Sequence, residues 1–205
     1  MEMEKQQKLR PVELKDGILW LEEIPGDFVD DCLDFSYKRT VLVQDRLHKL
    51  LVFSNNKIRK LAEFRDMNNK ERTEAMRPNN LVKGIEFDIN FYESGKCTKE
   101  CDFQKFSFPA SFVVECNSKR YQMSCSKSTS IVFLETTTVP DEETVDFNKR
   151  NIIFYMKNLG QFSVFESASA IGHCLCAEPE NGLYKLALKK VTKSIDEETH
   201  LELVT

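Results

Sequence analysis

Apolar and polar positions alternate with a period of two along most of this chain, and helical spacing is scarce. From Thr40 the alternating runs are "TVLV", "KLLVFS" from Lys49, "KIRKLAEF" from Lys57 and "GIEFDINFY" from Gly84. "SFVVEC" from Ser111, "KRYQMSC" from Lys119, "SIVFLE" from Ser130 and "NIIFYMK" from Asn151 follow. The last four are "FSVFES" from Phe162, "HCLCAE" from His173, "LYKLALKK" from Leu183 and "HLELV" from His200. They predict about twelve short strands, most of them joined by turns rich in Asn, Ser, Gly and Pro. An immunoglobulin-type sandwich uses about seven to nine strands, so the count exceeds it. A β-trefoil, made of three four-strand units, matches directly, with units at about Thr40–Tyr92, Ser111–Lys157 and Phe162–Val204. No threefold sequence repeat accompanies that grouping. The expected class is all-β, a β-trefoil preceded by an N-terminal propeptide-like segment.

Three stretches interrupt the alternation. Asp66–Asn80 is polar and has room for one or two helical turns before Pro78. Glu93–Lys105 is a charged connection, and Thr136–Arg150 is a long acidic loop of the kind that carries binding contacts. Ahead of the strands, "VELKDGILWLEE" has an apolar centre with a turn at Asp16-Gly17, and Trp20 is expected to pack on the main core. "IPGDFVDDCLDFSYKR" then opens on Pro-Gly and runs through a cluster of aspartates. An acidic linker of this kind is where a protease gains access to backbone. The expected division is a segment 1–34 and a body 35–205.

Composition narrows the class. The chain has 205 residues, 41% hydrophobic and 30% charged, a globular balance. Fifteen phenylalanines against 7 glycines and 6 prolines lean toward sheet. A net charge of −4 and a pI near 5.6 argue against bulk nucleic-acid binding, which calls for a basic domain. The N-terminus "MEMEKQQKLR" lacks the apolar core of a signal peptide, and no run of about 18 apolar residues predicts a membrane span. With an odd 7 cysteines, the expectation is a chain made in the reducing cytoplasm with unpaired thiols. If it acts outside the cell, it is secreted by an unconventional route.

The residues most suggestive of chemistry lie in "HCLCAE". Alternation puts Cys174 and Cys176 on one face of a strand and His173 and Leu175 on the other, which separates the imidazole from both thiols. Structural zinc sites pair ligands at spacings such as C-x₂₋₄-C. Cys97 and Cys101 have that spacing but lack an evident second pair, so no metal site is expected. A thiol nucleophile needs a histidine base in reach, and His48 and His200 sit in polar strand flanks. No phosphate-cradling glycine motif occurs. Glu86, Glu115, Glu135 and Glu166 suit a solvated outer face better than a glycosidase pair, and the lysines of Lys185–Lys193 suit a wet strand face. No catalytic residue and no cofactor are expected. The sharper signal is the linker. Asp31, with Phe28 three positions upstream, suits inflammatory caspases, and Asp34, with Asp31 upstream, suits effector caspases.

The stretch "NIIFYMKNLGQFSVFESASAIGHCLCAEPENGLYKLALKK" resembles the C-terminal third of interleukin-18-like cytokines of the interleukin-1 family. The matching residues are Ile152, Ile153 and Phe154, then Phe165, Glu166 and Ser167, then Gly172, Leu175, Glu178 and Leu183–Lys190. Weaker matches cover Leu50–Met67, Phe87–Tyr92, Phe112–Glu135 and "LKDGILWLEE". The resemblance implies a β-trefoil cytokine precursor, cut by an inflammatory caspase after Asp31 or Asp34. Its implied partners are a receptor chain of immunoglobulin-like domains, an accessory chain and a soluble binding protein, with the cytokine acting as a monomer. It implies receptor contacts at Lys38, Arg39, Asp66, Met67, Lys96 and Lys157. Asn69, Gly182 and Glu93 depart from the family's charges, so the same docking with altered pairing is expected. Alternatives are an antagonist of the same family, a trefoil protease inhibitor or lectin, and a zinc or thiol enzyme.

Overall fold

A computed structural model describes residues 9–15, 18–23, 33–55, 60–75, 77, 84–94, 108–126, 129–137, 145, 147–191 and 196–204. The chain divides into two compact units, Met1–Asp31 and Cys32–Thr205. In the first, β1 (Leu9–Lys15) and β2 (Ile18–Glu23) pair as an antiparallel hairpin, with a register irregularity between Pro11 and Glu13. The turn at Asp16-Gly17 and the expected packing of Trp20 lie outside what is described.

Among the described residues, the second unit holds twelve strands. They are β3 (Leu33–Asp45), β4 (Leu50–Asn55), β5 (Lys60–Arg65) and β6 (Glu86–Ser94), then β7 (Phe108–Cys116), β8 (Lys119–Cys125), β9 (Ile131–Thr136) and β10 (Phe154–Leu159), and last β11 (Phe162–Ser167), β12 (His173–Glu180), β13 (Leu183–Lys190) and β14 (Leu201–Val204). Each group of four repeats one plan. The outer members pair in a ring, β3 with β6, β6 with β7, β7 with β10, β10 with β11, β11 with β14, and β14 back to β3. The inner members form three hairpins, β4–β5, β8–β9 and β12–β13. A closed six-strand barrel with three hairpins at one end is the β-trefoil.

Local sequence explains the hairpins. Asn117 and Ser118 between β7 and β8 both have φ above +50°, as do Asn181 and Gly182 between β12 and β13. That is the geometry of tight two-residue hairpin turns, which favour Asn and Gly. The barrel interior is filled by the inward half of each alternating strand, including Phe53, Phe87, Ile89, Phe112, Tyr121, Met123, Phe154, Phe165 and Leu175, all almost inaccessible. Phe112 packs edge-on against Phe154 and Phe165, with centroids at 5.8 and 4.9 Å.

Two elements depart from the sequence expectation. β3 starts at Leu33, inside the expected linker, because its first half pairs with β6 from Leu33↔Ser94 onward, around an irregularity at Phe35/Tyr37. The run from Asn151 begins as strand only at Phe154. Phe147–Ile152 instead forms 3-10 turns, and Ile153 buries in a satellite cluster with Tyr92, Val145 and Ala168. Val145, in the acidic loop, is buried and exchanges backbone hydrogen bonds of 2.8 and 3.0 Å with Leu33. The expected helical turns are α1 (Asn69–Ala75). Asn68 Oδ1 accepts the Glu71 N–H and Glu71 Oε2 accepts the Asn68 N–H, a reciprocal capping box.

Candidate functional site

The residues marked by the resemblance occupy several places on the second unit. Lys38 and Arg39 are exposed on β3, opposite Asn90 and Ile89 of β6. The neighbouring Asp88 is a charge hub. Its carboxylate accepts the Thr40 hydroxyl at 2.7 Å and lies 3.7 Å from Lys38 and 3.8 Å from Arg120. Asp66, just past β5, has a side chain 80% exposed and pairs with Lys49 at 3.2 Å. Lys49 in turn sits 4.3 Å above the Tyr184 ring. Met67 is half-buried and packs on the small cluster of Leu42, Leu50 and Ile85. Lys157 is exposed on β10 and pairs with Glu166 at 3.4 Å.

Asp34 is exposed within β3, opposite Glu93. Asp31 and Lys96 lie outside the described residues. The structure brings Asp66 and Met67 together by adjacency, and Lys38 with Arg39 likewise.

Sequence reasoning missed Asp88, Arg120 and Lys49, whose roles arise from cross-strand neighbours. The one hint was Asp88 as an acidic outward position in "FDINFY". Glu166 was assigned to a solvated face, yet it is half-buried. Its Oε1 accepts the Gly172 N–H at 2.8 Å while its other oxygen faces Lys157. The Phe-Glu-Ser and Gly elements of the resemblance are thus joined by a hydrogen bond. Glu86, Glu115 and Glu135 are exposed, as an outer face requires.

The Cys-x-Cys strand is built as alternation predicts. Leu175 enters the barrel core, while Cys174 and Cys176 are buried without disulfides. The His173 ring shares a hydrogen bond with the Ile171 carbonyl oxygen through Nδ1, at 3.3 Å. Burial, aided by Glu166, pushes the Cys174 thiol up to about 11; burial, aided by Glu178 and Glu198, pushes Cys176 up to about 12. Both therefore stay protonated at neutral pH, the unreactive form. Among the described residues, no three His, Cys, Asp or Glu side chains gather as an ion site. Lys185 bridges Glu178 and Glu180, and Lys189 bridges Asp196 and Glu198; hydrogen bonds to those carboxylates raise both lysine pKa values.

The thiol shifts carry a pH prediction. A folded pKa above the unfolded value stabilises the fold below the unfolded pKa, and that contribution is lost as pH rises toward the folded one. The window runs from about 9 to about 12. Over it, the melting temperature of the wild type should fall more steeply than that of a Cys174→Ala, Cys176→Ala double variant, followed by circular dichroism. Parallel curves would show that these thiols are not held protonated by the fold.

No protein-family model matches the chain, and no curated protein matches it. Solved structures do. The chain is similar to the botulinum neurotoxin serotype C1 binding domain, at a TM-score of 0.51 and 14% identity, over 87% of this chain and 46% of that one. It is similar to a GlcNAcα1-4Gal releasing endo-β-galactosidase from Clostridium perfringens, at a TM-score of 0.48 and 10% identity, over 82% of this chain and 33% of that one. A third structure, concerned with the dependence of botulinum neurotoxin type C cell entry on two ganglioside molecules, gives a TM-score of 0.45 and 12% identity, over 87% and 46%. The chain spans less than half the length of each. At such identities a likeness is one of fold, and the closed ring of strands, together with the likeness to the serotype C1 binding domain, makes this chain a β-trefoil protein.

Proposed function

We propose that this trefoil acts by binding another protein, as an interleukin-18-like cytokine precursor. An aspartate-directed inflammatory caspase cuts the linker, and the barrel unit docks as a monomer on an immunoglobulin-like receptor chain, which then recruits an accessory chain. A soluble binding protein competes for the same surface. The precursor is cytoplasmic and leaves by an unconventional route.

One observation carries the reading. Every described residue that the resemblance marks as a contact is on the outside of an apolar-filled barrel, with Lys38, Arg39, Asp66 and Lys157 exposed and Met67 half-buried. The Lys49–Asp66 and Lys157–Glu166 pairs each join an exposed side chain to a half-buried one. Asp66 and Lys157 are the members a receptor charge can reach, and such contacts act chiefly on association rate and partner choice. What supports Asp31 over Asp34 as the cut is the pairing of β3. Asp34 lies between Leu33, bonded to Val145, and Phe35, opposite Tyr92.

The test is surface plasmon resonance of the processed chain on an interleukin-18-type receptor ectodomain. Asp66→Lys and Lys157→Glu are each expected to slow association about tenfold at low salt, with little change in melting temperature. Wild-type association by both variants would refute the docking surface. Cell signalling by the cleaved form separates agonist from antagonist.

A second reading, a trefoil binding module of lectin type, is favoured by the fold shared with the neurotoxin binding domain. Binding to a glycan panel, with no response on the receptor ectodomain, selects that reading instead.

A further inference from the structure

The three hairpins leave a cleft of about 280 Å³ where they converge, lined by β5, β9 and β13, by Glu178 of β12 and by the Thr129–Ser130 approach to β9. Its walls are strand edges. Among the described residues β9 pairs only with β8, so the far edge of Ile131–Phe133 has no ladder partner, although β13 lies across the cleft and the Phe133 carbonyl accepts the Lys60 ammonium. β13 and β5 pair only through Tyr184↔Phe64 and Lys185↔Glu63, then diverge. That leaves Leu186–Leu188 and Lys60–Ala62 facing the cleft without a ladder between them. An edge carrying four consecutive apolar residues, Ile131–Leu134, is a template for pairing unless something covers it.

Charge selects the occupant. Lys60 pairs with no carboxylate among the described residues; its ammonium instead donates to the Phe133 carbonyl at 3.2 Å and lies 5.0 Å from the Tyr121 ring centroid. Across the cleft, Lys185 is already held by Glu178 and Glu180. Among the described residues lining the cleft, the charge without an opposite partner is therefore Lys60, beside the edge of β9. The cleft is near the lower end of ligand pockets, about 300–1,000 Å³. A second barrel cannot bring its own recessed β9 edge into a space of that size, whereas a single extended segment can.

We propose that the hairpin cleft binds an extended acidic peptide segment of a partner protein as an added strand, with a carboxylate of the peptide on Lys60. Main-chain hydrogen bonds to the open edges supply affinity, and Lys60 with the apolar floor of Ile131, Leu186 and Leu188 supplies selectivity. The site is separate from the receptor-docking residues and stands whether or not that reading holds.

The probe is an end-blocked, fluorescein-labelled peptide of alternating valine and glutamate, titrated into the full chain by fluorescence polarisation. It is compared with a valine–lysine counterpart and with a copy N-methylated at alternate amides. The valine–glutamate peptide is expected to bind, shifting amide resonances at Ile131–Phe133 and Leu186–Leu188. N-methylation, lysine for glutamate, and Lys60→Glu are each expected to weaken binding at least about tenfold. Equal binding by the N-methylated copy, or none up to about 1 mM peptide, overturns the proposal. So does a concentration-dependent dimer of the chain that the peptide disperses, which would assign the edge to a second copy. The N-methyl comparison uses wild-type protein, so it decides even if Lys60→Glu misfolds.

Discussion

Phe112→Ala should lower unfolding stability by about 3–5 kcal/mol. Phe112 is 1% exposed, lies on β7 between β6 and β8, and packs edge-on against Phe154 and Phe165 from different four-strand units. Removing the ring opens a cavity where the units meet, and the surrounding strands are hydrogen-bonded around a closed ring that cannot collapse inward. Urea unfolding of the full chain measures the effect. A loss under about 1 kcal/mol would mean that the site relaxes, and that the barrel is not packed around these rings.

Gly84→Ala is expected to cost about 3 kcal/mol by a different route, through backbone and not burial. Gly84 has φ +98°, a conformation that side chains with a Cβ rarely adopt. An added Cβ would overlap the Phe53 carbonyl oxygen. The same glycine's carbonyl accepts the Phe53 N–H at 2.6 Å, so relieving the overlap breaks the bond that fastens the start of β6 to the first hairpin. Thermal unfolding by circular dichroism checks this. A melting temperature unchanged by the methyl group would show that β4 and the Gly84 turn are not clamped in this way.

Strands with local causes were legible in the sequence. β8, β11 and β13 begin and end where alternation and turn residues place them, because Asn117-Ser118 and Asn181-Gly182 mark their turns without reference to the rest of the chain. The grouping into three units of four also stands, since each unit's outer strands enter the barrel ring and its inner strands form a hairpin. The first half of β3 was hidden because its charged residues, Lys38 and Arg39, alternate poorly, and its order comes from β6 some fifty residues away. The start of the run at Asn151 differs from expectation for the opposite reason. "NIIFYMK" has strand-like composition, but Ile152 and Ile153 bury against Tyr92 and Val145 on the outer side of the sheet, a tertiary effect that no local pattern encodes.

The candidate surface was legible only through the resemblance. It marks Lys38, Arg39, Asp66 and Lys157 as contacts, but not Asp88, Lys49 and Glu166, which pair with Lys38, Asp66 and Lys157. Those partners are assembled by register across strands. The hairpin cleft was invisible for the same reason, because its walls come from three strands far apart in sequence.

The proposed function requires a linker that is cut to release a barrel able to grip a receptor. Digestion of the full chain with an inflammatory caspase, N-terminal sequencing of the product, and binding of cut and uncut chain to the receptor ectodomain test it together. The predicted result is a single new terminus at Cys32 and a folded product that binds the ectodomain at least about tenfold more tightly than the precursor. A chain that resists the protease, or a correctly cut and folded barrel that leaves the ectodomain unbound, contradicts it.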